Sequence, residues 1–191
     1  MPSSPPHLFC DIDGVLAFQP EGDIIAVNAR FGSSWLVADA VRYPFSSMLP
    51  DRQAAWLEQN RAVIAANLAP DTRAIRVLAK AAKAGIPVTV CTERPPSMGA
   101  LTRAWCAYWG IPGAAGAQVV GPGGKEDLLA AHGKDNLALL IDDSPANEAL
   151  ARPGVEVWVP PRPWTPQGKP PAGVTRFGDW RDVCKALGLK K

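Results

Sequence analysis

Two carboxylates two residues apart, Asp11 and Asp13 in the run Asp11-Ile12-Asp13-Gly14, follow one apolar stretch, and a second acid pair, Asp142-Asp143, follows another. A hydroxyl, Thr92, ends a third, and Lys125 opens a helical pattern after a fourth. Side chains alternate along a strand, so Asp11 and Asp13 point the same way. Paired acids there invite a divalent cation, because hard cations take carboxylate oxygens and a phosphate group supplies the remaining ligands. Each element alone has a plain structural reading: Asp-x-Asp-Gly as a turn, Asp142-Asp143 or Thr92 as a helix cap, Lys125 beside Glu126 and Asp127 as a solvated first turn. The order acid pair, hydroxyl, lysine, acid pair, at the ends of successive strands or the starts of the next helices, argues instead for one rim that binds Mg²⁺ and phosphate.

The elements that must build this rim are short apolar runs bounded by turn residues: HLFCDI, IPVTVCT, AQVVG, LALLID and VEVWVP. Each reads as a strand buried on both faces. Between them the pattern predicts helices over 71–85, with Asp71 or Thr72 as N-cap, over 97–110, over 125–133 and, briefly, after Pro145. Trp180 to Leu189 reads as a packing helix with a Lys-Lys tail. Alternating strands and helices give an α/β fold, a parallel sheet with helices on both faces. Right-handed crossovers set the strand C-termini along one edge, where ligands bind. Residues 15–70 break the alternation. They hold a strong helix over 51–68, with Trp56, Leu57, Val63, Ile64 and Leu68 on its apolar side, and read as a small helical cap over a core formed by 1–14 and 71–191.

The runs Asp11-Ile-Asp-Gly-Val-Leu-Ala, Val-Cys-Thr92, Gly-Lys125-Glu-Asp and Leu-Ile-Asp142-Asp143-Ser-Pro resemble the four motifs of the haloacid dehalogenase-like (HAD) phosphohydrolases. That resemblance implies a Rossmann-like core and a small cap inserted after the first motif. Its nearest likeness is to the 5'(3')-deoxyribonucleotidase group, through DIDGVLA, the small cap, LLIDDSP and Arg162-Pro163-Trp164. Glu93-Arg94 stands after Thr92 where those nucleotidases usually have Ser-Pro, which puts the substrate rather than the chemistry in question.

By that resemblance Asp11 attacks phosphorus and forms an aspartyl-phosphate. Mg²⁺ is held by Asp11, the backbone carbonyl of Asp13 and Asp143, with Asp142 behind them or acting through water. Asp13 protonates the leaving alkoxide and then activates water. Thr92 and Lys125 hold the phosphoryl oxygens. Asn147 either orients a metal-bound water or is an ordinary helix-surface residue.

Candidate substrate contacts are Thr92, Glu93, Arg94, Lys125 and Phe18. Arg94 either binds a second anionic group or pairs with Glu93 or Glu126. Phe18, Phe31, Trp35, Tyr43 and Phe45 either stack on a base or form the core of the insert. Trp105 and Trp109 read as core against the sheet, Trp158 as strand core, His7 and His132 as structural, and Trp164 as open to either role.

Length and composition bound the remaining possibilities. The 191 residues, 47% hydrophobic and 20% charged, suit one globular core with an insertion. A formal charge of +2 and the lack of a dense basic stripe argue against nucleic acid as the main partner. Cys10, Cys91, Cys106 and Cys184 show no C-x-x-C spacing and read as buried thiols of a reducing, cytoplasmic compartment. No run of 18 apolar residues calls for a membrane. Seven of the 20 prolines lie between Pro153 and Pro171, which reads as an irregular surface loop. The expected activity is Mg²⁺-dependent hydrolysis of a small phosphorylated metabolite, with deoxyribonucleoside or ribonucleoside monophosphates favoured. A 3'-phosphatase on nucleic-acid ends and a catalytically silent phosphate-binding protein are the alternatives, and the oligomeric state is left open.

Overall fold

Alternation along the first strand already dictates a layered architecture: Leu8 and Cys10 face one apolar cluster while Phe9 faces another. The computed structural model describes residues 6–132 and 137–189. The predicted Gly133 helix end, the Lys190-Lys191 tail and the opening five residues fall outside the described residues.

Six strands, β1 (His7–Cys10), β2 (Val88–Thr92), β3 (Gln118–Val119), β4 (Ala138–Ile141), β5 (Val155–Val159) and β6 (Val174–Arg176), form one sheet in the order β3-β2-β1-β4-β5-β6. Every pairing is parallel. The α/β reading therefore holds, with β6 an addition that the sequence pattern did not reveal. Only β4 is buried along its whole length. Glu156 in β5 and Gln118 in the edge strand β3 are exposed.

Helices α4 (Thr72–Lys83), α5 (Gly99–Tyr108) and α7 (Trp180–Ala186) cover one face through Ala74, Val77, Leu78, Trp105 and Val183. Helix α6 (Gly124–Ala131) covers the other through Leu129. Asp71 caps α4 by accepting from the Arg73 N–H. Trp105 is core, as expected, and donates to the Leu68 carbonyl at 3.0 Å. Trp109 is not; it is 39% exposed, edge-on to Tyr108 at the end of α5. His7 stacks on Phe9 and bonds Thr89, with His132 edge-on to both rings, away from the strand C-termini. Cys10, Cys91 and Cys106 are buried free thiols, and Cys184 is half-buried. No helix among the described residues is long and apolar enough to cross a membrane.

The chain leaves the sheet after β1 and returns beside its own exit. The Phe18 N–H donates to the Ala69 carbonyl at 2.9 Å and the Asp71 N–H to Leu16 at 2.8 Å. Between them lie α1 (Glu21–Phe31), α2 (Asp51–Gln59) and α3 (Arg61–Ala66). They share an apolar cluster of Ile24, Val27, Phe45, Leu49 and Leu57 that also takes in Trp164 from the far end of the chain. The single helix expected over 51–68 is thus two. Asn60 interrupts it by turning its amide onto the Trp56 carbonyl at 2.8 Å, the local competition with the ladder that Asn favours. Val63, read as apolar-side, is 65% exposed as a result.

Candidate active site

Parallel register brings the predicted residues to one edge. The Asp11 N–H donates to Ile141 O at 2.9 Å, the Asp142 N–H to Trp158 O at 3.0 Å and the Val120 N–H to Thr92 O at 3.0 Å. Asp11, Thr92, Asp142 and Asp143 therefore leave adjacent strands at the same level. Lys125 enters from the first turn of α6, after the left-handed Gly123.

At the centre is a buried cluster of charge. The Lys125 ammonium, 2% exposed, lies 2.5 Å from Asp142 Oδ2 and 2.9 Å from Asp11 Oδ1. Asp142 also accepts from the Ser144 N–H at 2.9 Å and from Asn147 Nδ2 at 3.0 Å, so its lone pairs are largely engaged. Asp143 Oδ1 is buried without a hydrogen-bond donor, and Asp11 Oδ1 has the Lys125 ammonium beside it. Carboxylate oxygens of Asp11, Asp142 and Asp143 lie within 4.8 Å of one another. Three buried acids against one ammonium leave charge uncompensated, and a buried oxygen without a donor, as at Asp143, is costly unless a cation takes it. The residues present fit a hard divalent ion held by Asp11 and Asp143.

Burial raises the Asp11 carboxyl to about 7, the neighbouring Asp142 and Asp13 adding to what Lys125 opposes. Burial, then Asp11 and Asp142, also push Asp143 up. Although burial works against its charge, Lys125 is held above its ordinary value by Asp11 and Asp142.

Gly14 is required for this packing. Its φ is +78°, and a Cβ there would overlap the Asp143 carboxylate. Two residues from the proline-rich stretch brace the same spot: Arg162 Nε donates to the Gly14 carbonyl at 2.6 Å and Trp164 Nε1 to the Asp143 carbonyl at 2.9 Å. That stretch is an anchor rather than a free surface loop, with Trp164 and Thr165 buried.

Arg94 pairs with neither Glu93 nor Glu126. It is buried, and its guanidinium grips both oxygens of Asp13, Nε to Oδ2 at 2.7 Å and Nη2 to Oδ1 at 2.6 Å. Glu93 instead accepts from the Gly123 N–H at 2.7 Å and so ties the end of β2 to the start of α6. Thr92 Oγ1 accepts from the Arg94 N–H at 3.3 Å.

These groups open into a cleft of about 220 Å³, lined by Asp11, Asp13, Thr92, Glu93, Arg94 and Lys125 below and by Gln19, Asp23, Tyr43, Phe45, Glu58 and Arg61 of the insert, with Trp164 beside them. Phe18 is not there; it lines a separate apolar groove between α1 and α3. Sequence reasoning missed Asp23 and Arg61. The available signal was that Asp23 falls on the buried side of α1 with Val27, a charged residue where an apolar one belongs.

The fold is that of the HAD hydrolases. Solved structures similar to this chain include a HAD family hydrolase from Deinococcus radiodurans with bound phosphate and sodium, at TM-score 0.62 and 20% identity over 96% of this chain and 95% of that one. CbbY from Rhodobacter sphaeroides in complex with phosphate is similar at TM-score 0.59 and 18% identity, over 97% and 100%. The β-phosphoglucomutase-like protein of Thermotoga maritima is similar at TM-score 0.62 and 13% identity, over 96% and 98%. The chain matches no protein-family model and no curated protein. The likeness to HAD structures covers nearly the whole chain, and the nucleotidase likeness rests on its motifs alone.

Proposed function

We propose that the chain is a Mg²⁺-dependent phosphomonoester hydrolase in which Asp11 is the nucleophile. The observation that carries this reading is the buried Asp11–Lys125–Asp142–Asp143 cluster, in which Asp143 Oδ1 lacks a donor while Asp11 and Lys125 line an open cleft. A bound divalent ion supplies charge neutralisation for the phosphoryl oxygens. An oxygen of Asp11 forms the bond to phosphorus as the bond to the leaving oxygen breaks, and Asp13, once it leaves the Arg94 guanidinium that holds both its oxygens and takes up a proton from solvent, gives that proton to the leaving oxygen. Asp13 then takes a proton from water as the water oxygen attacks the aspartyl-phosphate, which releases phosphate and restores Asp11. Lys125 and the Thr92 hydroxyl present donors to the phosphoryl oxygens, while residues 15–70 act as a cap that excludes water over the cleft.

The substrate is a small phosphorylated metabolite, with nucleoside monophosphates the finer reading. Tyr43 and Trp164, whose rings lie 5.7 Å apart in the cleft wall, support a flat leaving group; Phe18 contributes nothing to it. The test is phosphate release with Mg²⁺ across nucleoside 5'- and 3'-monophosphates, sugar phosphates, an aryl phosphate and a 3'-phosphorylated oligonucleotide. Release that requires Mg²⁺ and disappears in Asp11→Asn is expected. Turnover in the chelated protein, or in Asp11→Asn, removes the reading.

A further inference from the structure

The insert contributes a polar group of its own to the cleft, and the mechanism above does not use it. Asp23 of α1 is 2% exposed. Its Oδ2 accepts from Gln19 Nε2 at 2.9 Å and from Arg61 Nη1 at 3.0 Å, while Oδ1 is buried with no donor. Arg61 is fixed from its other side by Glu58, Nη2 to Oε1 at 2.6 Å, and its Nε–H has no protein acceptor among the described residues. Gln19, Asp23, Glu58 and Arg61 all line the cleft that holds Asp11, Thr92 and Lys125. A carboxylate oxygen buried without a partner is costly, so a donor is called for at this point of the cleft. A guanidinium clamped by two acids is at the same time a rigid, directional donor.

The charge of this wall is equally specific. On the insert's side of the cleft Asp23 and Glu58 share the single cation Arg61, so one negative charge is in excess where the leaving group must lie. Each guanidinium is already neutralised by carboxylate. A second phosphate or carboxylate on the substrate would meet this excess in a cleft whose volume of about 220 Å³ lies below the roughly 300 Å³ at which drug-sized pockets begin.

We propose that Asp23 and Arg61, held by Gln19 and Glu58, form the leaving-group site, and that this site selects a monophosphate whose leaving group is uncharged and hydroxylated. A substrate hydroxyl donates to Asp23 and another oxygen accepts from Arg61, whereas the excess negative charge turns away bisphosphates. This rests on the hydrolase reading of the same cleft.

The experiment compares kcat/KM for polyol, sugar and nucleoside monophosphates, for the corresponding bisphosphates, and for an aryl phosphate without hydroxyls. Monophosphates are expected to exceed their bisphosphates by about tenfold or more. Glu58→Gln, a change at a side chain 58% exposed and so tolerated by the fold, removes one negative charge and narrows that ratio. Asp23→Asn lowers kcat/KM on the hydroxylated monophosphate about tenfold more than on the aryl phosphate. Hydrolysis of the aryl phosphate with bisphosphates equal or preferred overturns the selection while leaving the hydrolase reading in place. A ratio unmoved by Glu58→Gln, or an equal loss on both substrates in Asp23→Asn, does the same. Release from none of them removes both.

Discussion

Arg94 holds Asp13 through two parallel hydrogen bonds of 2.7 and 2.6 Å, and the two partners differ in their access to water. The Arg94 side chain is 4% exposed and that of Asp13 20%. Removing either breaks the same pair, yet what is left behind differs. Asp13→Ala strands a buried guanidinium whose remaining side-chain partner is Thr102 at 3.3 Å, at a cost of about 3–5 kcal/mol. Arg94→Met leaves a carboxylate that water reaches, at about 1–2 kcal/mol. Urea unfolding midpoints of the two variants give the comparison; equal or reversed costs would show that the pair is not buried as described.

Stability of the metal-free protein depends on pH through Asp11. Its carboxyl lies at about 7 in the folded chain against an ordinary 3.8, so the folded state binds more protons than the unfolded between those values. The stability this contributes is fully present below about pH 4 and is lost as pH rises through 7. Asp143 is shifted the same way, and His7, lowered by burial, works in the opposite direction. Subtracting the profile of Asp11→Asn isolates the Asp11 contribution. The difference in melting temperature between wild type and Asp11→Asn should grow less favourable to wild type from pH 5 to pH 8, and Mg²⁺ should recover most of the loss. A flat difference counts against a protonated Asp11.

Two glycines with positive φ should respond differently to alanine. Gly32→Ala, at φ +64° with open space around it, costs about 1 kcal/mol for the backbone alone. Gly14→Ala forces a methyl into the Asp143 carboxylate and should cost at least about 2 kcal/mol more, with weakened Mg²⁺ binding. Thermal unfolding with and without Mg²⁺ separates the two effects.

Trp164 sits in the apolar cluster of the insert while its indole N–H holds the Asp143 carbonyl. Trp164→Phe keeps most of the packing and removes the bond, for about 1 kcal/mol and a several-fold loss of Mg²⁺ affinity. Magnesium titration followed by melting temperature reads both, and an unchanged affinity would confine Trp164 to packing.

Asp11, Thr92, Lys125, Asp142 and Asp143 were legible because each ends a strand or opens a helix, and parallel pairing converts that sequence position directly into a shared edge. The same logic says nothing about Arg94, whose partner lies 81 residues away and was sought at Glu93 and Glu126. Asp23 and Arg61, 38 residues apart, meet only because α1 and α3 pack together, and a motif cannot encode that. Helix α1 escaped notice because its apolar face is thin, with Ile24 and Val27 as its buried apolar residues. Helices α2 and α3 read as one, since an Asn at position 60 breaks a helix through its own amide rather than through a Gly or Pro.

β1 pairs with β2 at 88–92 on one side and with β4 at 138–141 on the other. This strand, one of the two central ones, thus precedes both of its neighbours by long stretches of chain. Its hydrogen-bonding edges stay bare until those distant segments arrive, so folding is governed by contacts of large sequence separation and belongs to the slower class of α/β domains. A chain cut short of residue 138 would display an apolar strand with one open edge, a template for self-association. Such a fragment would also lack Asp142 and Asp143, two of the three buried acids that the complete rim brings together.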